Sequence, residues 1–90
     1  MKGFVQDPQA TLDYTLDWAP WLGSDTINVS TWVADSPVVI ESGSESQTDT
    51  TTTLFLSGGV HGSNYTITNT ITTIGGRQDD RSFELRVRNR

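Results

Sequence analysis

Ninety residues hold one small domain with a modest core, and the lack of cysteine excludes disulfides and thiolate metal sites. Hydrophobic residues make up 33% and the formal net charge is −5, which suits a thin Thr-rich β-sandwich or a subunit steadied by a neighbour. The acidic total disfavours nucleic acid as a partner, no apolar run reaches membrane-spanning length, and Met1–Pro8 lacks the apolar stretch of a signal peptide. The charge is uneven: residues 1–57 carry eight acids against Lys2, whereas residues 58–90 carry five arginines against three acids. Each half then has a solvated face, or an acidic and a basic end help copies dock head to tail or onto a larger assembly.

Residues 1–10 read as an extended arm, because Asp7-Pro8 restricts the backbone and little beyond Phe4 and Val5 can be buried. Those two side chains cover an edge of the core or insert into a partner. Thr11–Trp18 is a half-buried strand, with Leu12, Tyr14, Leu16 and Trp18 alternating with Thr11, Asp13, Thr15 and Asp17. Its outward acids are solvated and discourage edge-to-edge pairing. Asp17–Asp25 is a corner, since Pro20 cannot continue a ladder and Gly23 permits a tight turn. Trp18, Trp21 and Leu22 plug one end of the core, or one tryptophan stands exposed as an interface anchor.

Thr26–Val33 is the next strand. Ile27, Val29 and Thr31 share a face, and Trp32 on the opposite parity marks a bulge or the other side of the sheet. Ala34–Pro37 is a turn before a short strand, Val38–Glu41, whose start or edge position suits Pro37. Residues 42–47 have almost nothing to bury and read as a mobile loop. Three strands follow. Thr51–Leu56 is broken by residues 57–62, and Tyr65–Thr73 sets Tyr65, Ile67, Asn69 and Ile71 against a row of threonines until Gly75-Gly76. Ser82–Val87 turns Phe83, Leu85 and Val87 inward and Glu84 and Arg86 outward. The pattern predicts an all-β domain over residues 11–90, an immunoglobulin-like Greek-key β-sandwich of about seven strands, with a small barrel as the alternative.

Chemistry is sparse. His61 is the sole histidine and sits in a glycine-rich loop without a second strong ligand nearby. Asp79-Asp80 supply two carboxylates where calcium asks for six to eight oxygens, so they read as a charged turn. Ser57 and Ser63 match no nucleophile elbow, and Gly58-Gly59 lacks the lysine and helix of a phosphate loop. Asn28-Val29-Ser30 and Asn64-Tyr65-Thr66 match glycosylation acceptors by chance, given no secretion signal. The chain reads as a non-enzyme without metal or cofactor.

Three blocks of residues resemble a known family. They are Asp7-Pro8 with Leu12-Asp13-Tyr14, Asp17-Trp18 and Trp21-Leu22; Asp25-Thr26-Ile27 with Ser30-Thr31-Trp32; and a long run from Thr51-Thr52-Thr53 through Leu56-Ser57-Gly58-Gly59, Tyr65–Asn69 and Gly75-Gly76-Arg77 to Asp80-Arg81-Ser82. Over roughly residues 6–88 the pattern resembles small structural proteins of tailed bacteriophages, described as fiber-tail adaptor or head decoration (cement) proteins. Leu56–Ser82 is its specific part, and Val38–Gln47 transfers nothing. The resemblance implies an immunoglobulin-like sandwich in the virion, present in many copies, made in the bacterial host cytoplasm and without catalysis. Its implied partners are other phage structural proteins at the neck, tail, fiber or capsid. The expected role is that of a fiber-tail adaptor, with capsid decoration as the alternative and a carbohydrate-binding sandwich, using exposed Trp21 or Trp32, as a further one. The residues expected to carry assembly are Phe4 and Val5, Trp21, and the arginines Arg77, Arg81 and Arg88.

Overall fold

The computed structural model describes residues 2–89. Eight strands and one short helix follow in order: β1 (Lys2–Gln6), β2 (Thr11–Asp17), α1 (Ala19–Leu22), β3 (Ile27–Ala34), β4 (Val38–Ile40), β5 (Ser46–Gln47), β6 (Thr51–Gly58), β7 (Asn64–Thr73) and β8 (Gln78–Val87). The chain is all-β in two sheets that do not close into a barrel. One sheet has the order β1-β8-β7-β3; the other runs β2-β6-β4, with β5 also on β6. Among the described residues no helix is long and apolar enough to cross a membrane.

The alternating segments fold as their period demands. In β7, Tyr65, Ile67, Asn69, Ile71 and Thr73 are buried, while the intervening threonines face outward. In β8, Phe83, Leu85 and Val87 meet them from the next strand. Leu54 and Leu56 of β6 and Tyr14 of β2 close the core from the other sheet. Trp18, Leu22, Ile27 and Ile71 make a second, smaller cluster at one end.

The sequence places six strands by residue range, and two unpromising segments that also pair bring the number among the described residues to eight, against the expected seven or so. The stretch expected as an arm contains β1, which lies parallel to β8 from Lys2↔Phe83 to Gln6↔Val87. Phe4 covers the core edge, 5.2 Å from the rings of both Tyr14 and Phe83. Gln6 is fully buried because its amide donates to Leu56 O at 2.8 Å and Ala10 O at 3.0 Å and accepts from the Tyr14 hydroxyl. The expected mobile loop holds β5, two residues against Thr52 and Thr53. The parity of Trp32 is explained by a bulge between Ile27 and Val29, where Asn28 is the extra residue. Ile27 and Trp32 are thereby both buried, and Val29 and Val33 are turned outward.

One polar residue ties the layers together. Asn69 is fully buried and uses all four of its hydrogen-bonding positions. Its oxygen accepts from Trp18 Nε1 at 3.0 Å and the Thr52 hydroxyl at 2.7 Å. Its nitrogen donates to Ser30 Oγ and Thr31 O, both at 2.9 Å. Strands β3, β6 and β7 and the corner after β2 therefore converge on one amide.

Candidate functional site

The corner after β2 and the turn between β7 and β8 meet at one end of the sandwich. Trp18 N–H donates to Thr50 O at 2.8 Å, which ends β2, and Pro20 starts the single turn of α1. Gly23 then reverses the chain at φ 63°. Trp18 is thereby sunk into the core, and Trp21, one helical turn on, stays half-buried against it. Their rings meet edge to face, 5.6 Å apart at 72°.

Two arginines, Arg77 just before β8 and Arg81 within it, cap this pair. The Arg77 guanidinium lies 4.4 Å from the Trp21 ring centroid, and that of Arg81 lies 4.2 Å from Trp18. Neither is loosely held. Arg81 donates to Asp17 O at 2.9 Å. Arg77 donates from Nη2 to Leu22 O at 2.8 Å and pairs through Nε with Asp25 Oδ2 at 3.1 Å. The result is a ladder, Arg77–Trp21–Trp18–Arg81, joined by ring contacts and tied to backbone carbonyls through its arginines.

Asp25 organises the outer half of that ladder. Its carboxylate accepts from its neighbour Thr26 N–H at 2.9 Å and from Gly75 N–H at 3.0 Å, besides Arg77. The Thr73 hydroxyl, these backbone donors and the Arg77 guanidinium together lower its pKa from 3.8 to about 2, against the opposing effect of burial. Gly75 is needed for this approach, since a Cβ there would sit 2.7 Å from Asp25 Oδ2. Trp21, Leu22, Asp25 and Arg77 border a shallow open depression of about 620 Å³ on the outside.

Of the residues expected to carry assembly, three come together here: Trp21, Arg77 and Arg81. Phe4 is nearby, lining with Arg81 a groove between the sheets. Val5 is exposed on the outer side of β1 and stands apart from them. Arg88 lies eleven residues along the β8 direction from Arg77, roughly 35 Å at strand spacing. It is anchored there to Ser63 O at 3.2 Å and Asn64 Oδ1 at 3.0 Å. Asp25, Gly75 and Asn69 complete the site without a local signal in the sequence, because Asp25 and Arg77 meet only through the fold.

His61 is exposed, and its Nδ1 accepts from Asn89 N–H at 2.9 Å. Among the described residues no group of three or more His, Cys, Asp or Glu could hold a metal ion. Trp32 is buried, and one face of Trp21 is covered by Arg77.

Among curated proteins no significant match is found. A family model described as podophage GP4 fiber-tail adaptor protein gp77 matches residues 6–86, which span the whole ladder and nearly all of both sheets. The chain therefore belongs to the family of the podophage GP4 fiber-tail adaptor protein gp77.

Proposed function

We propose that this chain is a non-enzymatic virion protein that joins fiber to tail, and that it docks through the Arg77–Trp21–Trp18–Arg81 end. The observation that carries the reading is the ladder itself. Trp and Arg dominate binding hot spots, and here both kinds are immobilised in advance by Asn69, Asp25 and backbone carbonyls. Docking then spends little entropy on ordering Trp21 and Arg77. The family description favours an adaptor over a capsid decoration protein.

The fold supports the same role as an immunoglobulin-like Greek-key sandwich. The last strand lies between β7 and the parallel β1 in one sheet, while β2 and β6 pair in the other. The natural partners are tail and fiber subunits. Several copies, each attached weakly, would hold a fiber firmly. Complementation of a phage lacking this protein tests the reading. Trp21→Ala and Arg77→Ala chains are expected to fold and yet to leave particles short of fibers. Normal fiber occupancy with both variants would rule this end out as the docking surface.

A further inference from the structure

The edges of the two sheets are not protected alike. Strand β2, at one edge of its sheet, carries the exposed acids Asp13 and Asp17. Strand β4, at the other edge, is three residues long and follows Pro37. Strand β3 ends the sheet β1-β8-β7-β3 with eight residues, none of them charged and none a proline.

Hydrogen bonds fix which way the β3 backbone faces. Asp35 N–H bonds to Thr66 O at 3.2 Å, and Thr31 O accepts from the Asn69 amide. Odd-numbered residues after the bulge therefore turn their backbone groups toward β7. Ser30 and Trp32 point theirs the other way, to a side on which no described strand lies. Just ahead of them that side is taken, since Ile27 N–H bonds to Asp49 O at 2.9 Å and Asn28 O accepts from the Gln47 amide at 3.2 Å. The open stretch is thus Val29–Val33. Its outward side chains are Val29, 49% exposed, Thr31, and Val33, 68% exposed.

This stretch is its own complement. The outward order Val-Thr-Val reads the same in both directions about Thr31, as a two-fold axis requires of a strand that pairs antiparallel with its copy. Centred there, Ser30 of each copy exchanges main-chain bonds with Trp32 of the other, and Val29 of each faces Val33 of the other. No like charges meet, although the chain carries −5 overall. An equivalent pairing of β2 about Thr15 would oppose Asp13 to Asp17 of the copy. We propose that this chain pairs with a second copy, edge to edge through Val29–Val33, and so joins the two β3-edged sheets into one. Ile27 at the start of β3 packs in the Trp18 cluster, so the Trp–Arg ends of such a pair face in opposite directions. The pairing is a property of the chain alone and holds wherever those ends dock.

Sedimentation equilibrium of the isolated full chain over a range of concentrations tests it, with two double variants. Both alter exposed side chains only, so melting temperatures are expected to stay near that of the parent. Val29→Lys with Val33→Lys opposes like charges across the axis and is expected to weaken pairing by at least about tenfold. Val29→Lys with Val33→Asp opposes unlike charges and is expected to restore pairing to within about threefold of the parent. Thr31→Cys, in a chain without other cysteines, is expected to oxidise to a linked dimer at least about tenfold faster than Val39→Cys on exposed β4. A parent that stays monomeric up to about 1 mM would overturn the pair. Equal oxidation of the two cysteine variants, or pairing that both double variants leave unchanged, would overturn β3 as its seat. Equal weakening by both double variants would overturn the register about Thr31.

Discussion

At the Trp–Arg end the chain closes its core with side chains, whereas at the opposite end it does so with backbone. Trp18, Trp21, Arg77, Arg81 and Asp25 come from three segments and interlock through rings and charge-assisted bonds. At the far end, the loop after β6 folds back on β8 through Gly62 N–H to Val87 O at 2.8 Å and Val87 N–H to Ser63 O. Val60 N–H is held by the Tyr65 hydroxyl at 3.0 Å. Gly59, at φ 92°, lies so close that a Cβ would meet Val87 at 2.7 Å. Of the side chains at that end, Tyr65 and Arg88 are tied to the loop itself. A side-chain-built end presents fixed aromatic and cationic groups, which is what an attachment site needs.

The largest break in this contrast is Trp18→Ala. It empties a fully buried site and leaves the Asn69 oxygen only the Thr52 hydroxyl as donor, so a loss of about 3–5 kcal/mol in urea unfolding is expected. Asn69→Ala comes next, at about 2–4 kcal/mol, because Trp18 Nε1 and the Thr52 hydroxyl are both left buried without an acceptor. A loss under about 1 kcal/mol would mean that water takes over the role of Asn69. At the backbone-built end, Gly59→Ala is expected to cost about 1–3 kcal/mol through strain at positive φ and the clash with Val87, while leaving docking by folded protein unchanged. A docking defect in folded Gly59→Ala protein would place function at both ends.

Much of this was legible from period alone. The strands β2, β6, β7 and β8 announce themselves by alternation, and the mismatch of Trp32 left open a bulge or the other side of the sheet, of which β3 has the bulge. Strand β1 did not, because Lys-Gly-Phe-Val-Gln has no clean alternation and its buried member is the polar Gln6. Its burial depends on acceptors at Ala10 and Leu56, and the latter is fifty residues away. The start of β8 was hidden for a related reason. Asp79-Asp80 reads as a charged turn, yet β7 supplies the ladder that makes it part of a strand. Of the site, the residue types Trp21, Arg77 and Arg81 were readable as interface formers. That they converge, and that Asp25 and Gly75 lock them, follows from contacts fifty or more positions apart, which no local pattern encodes.

Acid sharpens the comparison further. The folded pKa of Asp25 is lowered to about 2 from an ordinary 3.8, so its carboxylate favours the folded state above the ordinary value. That contribution is lost as pH falls from about 4 to about 2. Asp25→Asn is expected to melt lower than the parent at neutral pH and to converge with it near pH 2, as thermal melts across this range would read. Parallel melting curves down to pH 2 would mean that Asp25 is not held ionised by the turn.

The smallest effect is expected away from both ends, at Trp32. Its indole resembles that of Trp18 in burial but not in bonding: Trp18 Nε1 reaches Asn69, whereas Trp32 Nε1 is buried with no hydrogen-bond partner among the described residues. Trp32→Phe removes a stranded donor and some ring volume together. The relief of an unsatisfied N–H offsets much of the lost packing, so a net change within about 1 kcal/mol is expected. Trp18→Phe removes similar volume and also a satisfied bond, and is expected to cost about 1–2 kcal/mol more. Paired urea titrations decide the matter. If Trp32→Phe proved as costly as Trp18→Phe, ring volume rather than bonding would govern both sites, and the tie to Asn69 would no longer explain why the Trp–Arg end is rigid.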